Sequence, residues 1–220
     1  MIACLCDNPL MCGRYALHSQ PEVAALAFGL SDVPEYQPRY NIAPTSQVLI
    51  VKNEGTALAR WGLIPRWAKD PSIGAKLNNA RAETVAVKPS FRDAYRKRRC
   101  LIPANGFYEW KAEAGRKQPY YIYPSGSELF AFAGLWESWN APNEVLQTCV
   151  IITTEANAKM RAIHDRMPVI VAPGDYPEWL AGADGLLAPC SATAIEIRKV
   201  SRIVNNARND SPALIEASKD

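Results

Sequence analysis

Four short stretches carry the residue types that could do chemistry: MCGRYAL at 11–17, LNNARAETV at 77–85, CLIPANGFYEW at 100–110 and IHDRMPVI at 163–170. Each mixes polar or charged residues with Gly, Pro or aromatics, the mixture found where strands end and sites sit. Cys12 is a potential nucleophile. His164, followed by Asp165, is either a proton-transfer group or a satisfied surface pair. Glu109 lies between Tyr108 and Trp110 in an apolar run. If it faces inward, burial raises its pKa and suits it to proton transfer; if outward, it is a solvated charge. Asn79 and Arg81 are two apart, so on an extended segment both face one side. The alternative is a loop capped by Asn beside a surface salt bridge.

The chain has 220 residues, 48% hydrophobic and 21% charged, with a net charge of +3. That mix argues against global disorder, and the length fits one large domain or two small ones. Only two His occur, which excludes a His-rich metal centre, and no C-x-x-C pair supports structural zinc; no metal or cofactor is expected. No apolar run is long enough to span a bilayer, and MIACLCDNPL lacks a basic n-region, so a cytoplasmic protein is expected. Cys4, Cys6, Cys12, Cys100, Cys149 and Cys190 have scattered spacings. Apart from Cys12 and the two in the first ten residues, they read as small buried hydrophobes. The near-neutral total hides an asymmetry. Residues 81–117 hold ten Lys or Arg against four acids, a net +6, leaving −3 elsewhere. That segment is either a solvated face or a phosphate-binding surface.

The elements that must position these residues are short, because 17 Pro interrupt the chain. Ser19 and Pro21 open a helix that Gly29 ends, and Ser90 with Asp93 resembles a capping box for a basic helix ending near Arg99. QVLIVKN and TALARWG around Glu54-Gly55 read as a hairpin. LIPANGFYEWKA reads as one strand turning at Gly115 into QPYYIYP, LFAFAGLWESW and LQTCVIITTE as two more joined around 140–143, and MPVIVA as another. Short helices are expected at 157–163 and 176–180. The sum is a single α+β domain, rich in antiparallel strands, with a barrel-like β core flanked by short helices.

Six of these motifs stand in an order that resembles the SOS response-associated peptidase (SRAP) family, the abasic-site processing proteins. They are Met11-Cys12-Gly13-Arg14, RYNIAPT at 39–45, RWGLIPRWA at 60–68, NNARAET at 78–84, PANGFYEW at 103–110 and IHDRMPVI at 163–170. VSRIVNNARNDSPALIE at 200–216 is similar to the family's C-terminal segment. The resemblance implies a protein that binds single-stranded DNA and traps abasic sites through an N-terminal Cys. An N-terminal Cys offers an α-amine of pKa about 7.7–8.0 and a thiol of about 8.5 on adjacent carbons. The amine forms a Schiff base with the ring-opened sugar aldehyde, and the thiol closes a thiazolidine. On this resemblance Cys12 is the nucleophile, Asn79 positions the amine and sugar, Glu109 is the acid/base group and His164 the proton donor. Arg14, Arg81 and Arg166 hold phosphates. Asn41, Pro44, Trp67 and Phe91 complete the DNA-binding side, the aromatics stacking on bases.

Cys12 is not the second residue of the sequence. Residues 1–11 are therefore either an upstream misassigned start or a leader removed by the chain itself, ahead of a 12–220 SRAP domain. The implied partner is abasic single-stranded DNA, met by a monomer at the nucleoid during DNA damage. Two other classes remain open: a cysteine hydrolase acting on peptides in trans, with a Cys12, His164 and Asn79 arrangement, and a noncovalent nucleic-acid binder.

Overall fold

A ring of five strands sits at the centre of the computed structural model, which describes residues 12–141 and 144–218. In chain order these residues form β1 (Tyr15–Leu17), α1 (Pro21–Phe28), β2 (Arg39–Ile42), β3 (Gln47–Lys52), β4 (Gly55–Trp61), β5 (Asn79–Arg81), α2 (Arg92–Lys97), β6 (Arg99–Ala104), β7 (Gly106–Glu113), β8 (Arg116–Pro124), β9 (Phe130–Asn140), β10 (Val145–Glu155), β11 (Arg166–Pro168), β12 (Ile170–Val171), α3 (Tyr176–Ala181) and β13 (Ile195–Lys199). The ring runs β10-β4-β3-β6-β9, and the long β9–β10 hairpin closes it. Its pairings are antiparallel except β4 with β10. Closure removes the exposed edges that an open sheet would present. β5 and β11 add to the far end of β10.

A second, antiparallel sheet of order β13-β8-β7-β1-β2 packs against the ring. Tyr15 of β1 is fully buried between the two, edge-on to Trp61 and Phe132 at 5.3 and 5.7 Å. One apolar cluster draws residues from both sheets, so the expected α+β, barrel-like single domain is what forms.

LIPANGFYEWKA is not one strand. It breaks at Asn105, sending β6 into the ring and β7 into the second sheet. Asn105 is buried; its Oδ1 accepts from the His18 and Ser19 N–H groups, and its Nδ2 donates to Ser19 Oγ and the Glu128 carbonyl. Gly106 is required just after it, because a Cβ there would lie 2.4–2.6 Å from the Tyr121 ring and the Ile122 carbonyl. MPVIVA likewise divides at Val169. The Val169 N–H donates to Ile152 of β10, and its carbonyl accepts from Ala133 of β9, so the segment switches partners there.

The capping expectations need correction. Gln20, not Ser19, precedes α1, because the Ser19 hydroxyl is taken up by Glu128 at 2.6 Å. Gly29 does end α1 in the left-handed region. Phe91 occupies the cap of α2 with no side-chain bond, since burying its ring outweighs a Ser90 cap. Over 157–163 only a single 3-10 turn forms at Met160–Ala162, started by Asn157 Oδ1, which accepts from the Lys159 and Met160 N–H groups. Cys100 and Cys149 are buried as expected, whereas Cys190 is only half-buried. Cys4, Cys6, the 1–11 extension and positions 142–143 lie outside the described residues.

Candidate functional site

β1 places Cys12. It pairs with β7 through Tyr15 opposite Phe107, and the Tyr108 N–H donates to the Arg14 carbonyl at 3.0 Å. The chain before β1 therefore continues alongside β7, and the Cys12 nitrogen meets Glu109, donating to Oε1 at 2.7 Å. Both residues are buried. Cys12 adopts φ 42, a region costly for a residue with a Cβ. Glu109 faces inward, which settles the choice left open by alternation. Burial pushes its carboxyl up to about 8, offset in part by the Cys12 and Trp110 N–H groups and reinforced by the charge of Asp165. Burial also pushes the Cys12 thiol well above its usual range, and Glu109 adds to this. The sulfur is thus held as the thiol.

β10 gathers the other groups. Asn79 stands opposite Ile151 in parallel pairing, and its Nδ2 donates to the Cys12 carbonyl at 3.5 Å. On the other side of β10, Glu155 opposes Arg166 of β11. His164 lies two residues before it, in the turn after the 3-10 segment. Its Nδ1 accepts from the Arg166 N–H at 3.0 Å and is also 3.0 Å from Asp165 Oδ1. These contacts fit different protonation states. Accepting an N–H needs a lone pair on Nδ1, which leaves a proton on Nε2; an imidazolium would instead give Nδ1–H to Asp165. In either state Nε2 can donate. Cys12 thus contacts both Glu109 and Asn79, and the His164–Asp165 turn lies near enough for Asp165 to act on Glu109.

The residues assigned to DNA divide. Arg81 is exposed on the same side of β5 as Asn79. Arg166 is mostly buried, donates to the Thr153 carbonyl at 2.8 Å and pairs with Glu83. Trp67 is 58% exposed beside a cavity of about 560 Å³ with Lys69 and Lys76 in its wall. Pro44 is half-buried in the turn after β2. Arg14 is engaged within the fold, bonding Asn41 at 2.8 Å and the Val204 carbonyl at 3.1 Å. Asn41 is fully buried; its Nδ2 reaches the Val204, Asn206 and Asn209 carbonyls, so it fastens the C-terminal segment and cannot touch DNA. Phe91 is buried and cannot stack on a base. The basic stretch is no single surface either. Arg92, Arg96 and Lys97 are exposed on α2, while Arg98 pairs with Glu137 and Arg99 lies against the Tyr95 and Trp179 rings. Glu83 was not singled out by the sequence reading. Its signal is its place inside the NNARAET motif, two residues beyond Arg81.

A closed five-stranded ring packed against an antiparallel sheet thus brings a buried Cys, whose main-chain nitrogen meets a buried Glu, against an Asn, with the turn that carries His164 and Asp165 within electrostatic reach. Among the described residues no three His, Cys, Asp or Glu side chains form a metal site. The chain belongs to the SOS response associated peptidase (SRAP) family, whose sequence model matches residues 11–207. It is 46% identical to the abasic site processing protein YoqW of Bacillus subtilis (strain 168), over 94% of this chain and 100% of that one. It is 30% identical to YedK of Escherichia coli (strain K12), an abasic site processing protein, over 94% and 99%. HMCES of Xenopus tropicalis, also named as an abasic site processing protein, is 34% identical over 84% of this chain and 68% of its own. A solved Bacteroides thetaiotaomicron protein superposes with TM-score 0.84 at 27% identity, covering 94% of this chain and 100% of that one.

Proposed function

We propose that this protein processes abasic sites in single-stranded DNA by covalent capture on Cys12, once Cys12 is N-terminal. The observation that carries the reading is the 2.7 Å contact between the buried Cys12 nitrogen and the Glu109 carboxyl. As a main-chain amide that nitrogen is inert; as an α-amine it becomes a nucleophile when it yields its proton, and an acid/base group that can take that proton is already in contact. The amine adds to the sugar aldehyde, and Glu109 takes the proton released. His164 gives a proton from Nε2 to the ring oxygen as the sugar opens and takes one back from the C1 hydroxyl; the two protons that Glu109 takes in turn from the nitrogen are then delivered through His164 to the aldehyde oxygen, which leaves as water as the Schiff base forms. The thiol then adds across C=N; its sulfur bonds the carbon and its proton goes to the nitrogen, closing the thiazolidine. Asn79 holds the Cys12 carbonyl so that amine and thiol stay aimed at one point.

Self-removal of residues 1–11 would use the same Cys12 and Glu109: the sulfur adds to the preceding peptide carbonyl, the C–N bond breaks as Glu109 passes the thiol proton to the nitrogen, and water then hydrolyses the thioester to leave an N-terminal Cys12. In this reading the protein is a monomer that needs no metal or cofactor and works in the cytoplasm, at the nucleoid during DNA damage. No helix among the described residues is long and apolar enough to cross a membrane.

The test is a denaturing gel with labelled abasic single-stranded DNA. A heat-stable shifted band is expected for a chain beginning at Cys12, and none for Cys12→Ala or for a chain retaining residues 1–11 uncleaved. Equal, salt-sensitive binding to intact and abasic strands without a covalent band would instead mark a noncovalent binder.

A further inference from the structure

Arg166 is held by two different kinds of partner. Its Nη2 donates to the Thr153 carbonyl of β10 at 2.8 Å, and its main-chain N–H donates to His164, so the side chain is anchored where it stands. The outer edge of the guanidinium is taken by Glu83, with Nη1 bonding Oε1 and Nη2 bonding Oε2 at 3.0 Å. The Arg166 side chain is only 15% exposed, whereas that of Glu83 is 52% exposed. Glu83 lies in the turn that follows β5, outside any regular ladder. The fixed cation is therefore inside and the movable anion outside.

The forked contact is the geometry in which an arginine binds a phosphate. Arg81 acts on Glu83 as well, so the carboxylate lies within reach of both arginines expected to receive the strand. We infer that Glu83 is a built-in competitor for phosphate: it fills the Arg166 fork in the free protein and must turn outward before a DNA backbone phosphate can enter. This rests on the proposed reading that the site receives single-stranded DNA. Its consequence is selectivity. The displacement weakens noncovalent binding of every strand equally, and only a strand with an abasic site offsets the loss by forming a covalent bond. Intact DNA is released. Glu83 is thus a specificity residue that touches neither the sugar nor Cys12.

The competing role for Glu83 is to orient Arg166, and the two differ in sign. Binding of a fluorescein-labelled intact 12-mer is measured by anisotropy across a salt series, using the full chain and its Glu83→Gln, Glu83→Ala and Arg166→Ala variants. Glu83→Gln and Glu83→Ala are expected to bind about tenfold more tightly, since no anion remains to be displaced. Their log–log salt slopes should steepen by about 0.7, because a freed carboxylate no longer recruits a cation to replace the one that Arg166 releases. Arg166→Ala should weaken binding. Equal or weaker binding by folded Glu83 variants overturns the inference, as does an Arg166→Ala variant that binds like wild type while DNA binding itself stands. If no form binds DNA, the proposed function falls and takes this inference with it.

Discussion

A chain that keeps the residues before Cys12 and one that begins at Cys12 should lose stability with pH in different windows. In the longer chain Glu109 faces an amide, and burial pushes its carboxyl up to about 8 against roughly 4.3 in the unfolded chain. The folded state then holds a proton that the unfolded state has released, so stability falls as pH rises from about 4.3 to about 8. At 1.36 kcal/mol per unit, the full loss is about 5 kcal/mol, a large part of a domain's total. In the shorter chain the partner is an ammonium. Two unit charges at the observed 2.7 Å attract by about 6 kcal/mol at an effective dielectric of about 20. That is enough to cancel the burial effect and return Glu109 to the ordinary carboxylate range. The shorter chain should be flat from pH 5 to about 8, then lose stability as the amine, raised by its partner, gives up its proton. Urea unfolding followed by Trp fluorescence at pH 5, 6, 7, 8 and 9 reads both curves, and Glu109→Gln in the longer chain should flatten its curve. Parallel curves for the two chains, or a longer chain that loses less than about 1 kcal/mol between pH 5 and 8 relative to Glu109→Gln, would refute the reasoning.

Two further substitutions separate what the fold uses from what DNA would use. Asn41→Ala removes the buried amide that holds three C-terminal carbonyls and Arg14, and should cost about 3 kcal/mol by urea unfolding. Trp67→Ala, at a largely exposed ring, should leave the melting temperature within about a degree of wild type. It should weaken binding to single-stranded DNA by about 1–3 kcal/mol in anisotropy titrations; an unchanged affinity would remove Trp67 from the stacking surface.

Much of this protein was legible in its residues. Alternation and turn chemistry located the β3–β4 and β9–β10 hairpins, because a strand pair joined by a short turn is specified locally. The order of six motifs named the family and marked Cys12, Asn79, Glu109 and His164 before any of them could be placed in space. What one strand's pattern could not decide was direction. Glu109 is as polar facing out as in; only β1 lying beside β7, with the Cys12 nitrogen delivered to its carboxyl, makes it a buried acid of raised pKa. The same limit explains the misplaced residues. Asn41 and Arg14 have the chemistry of DNA ligands, yet segments more than 160 residues away in sequence supply carbonyls that occupy them. The partner changes at Asn105 and Val169 are equally nonlocal, since each depends on which strand waits beyond the break. Residue type thus fixed what chemistry this chain could attempt. The tertiary structure decided which groups meet, which are desolvated, and which are already taken.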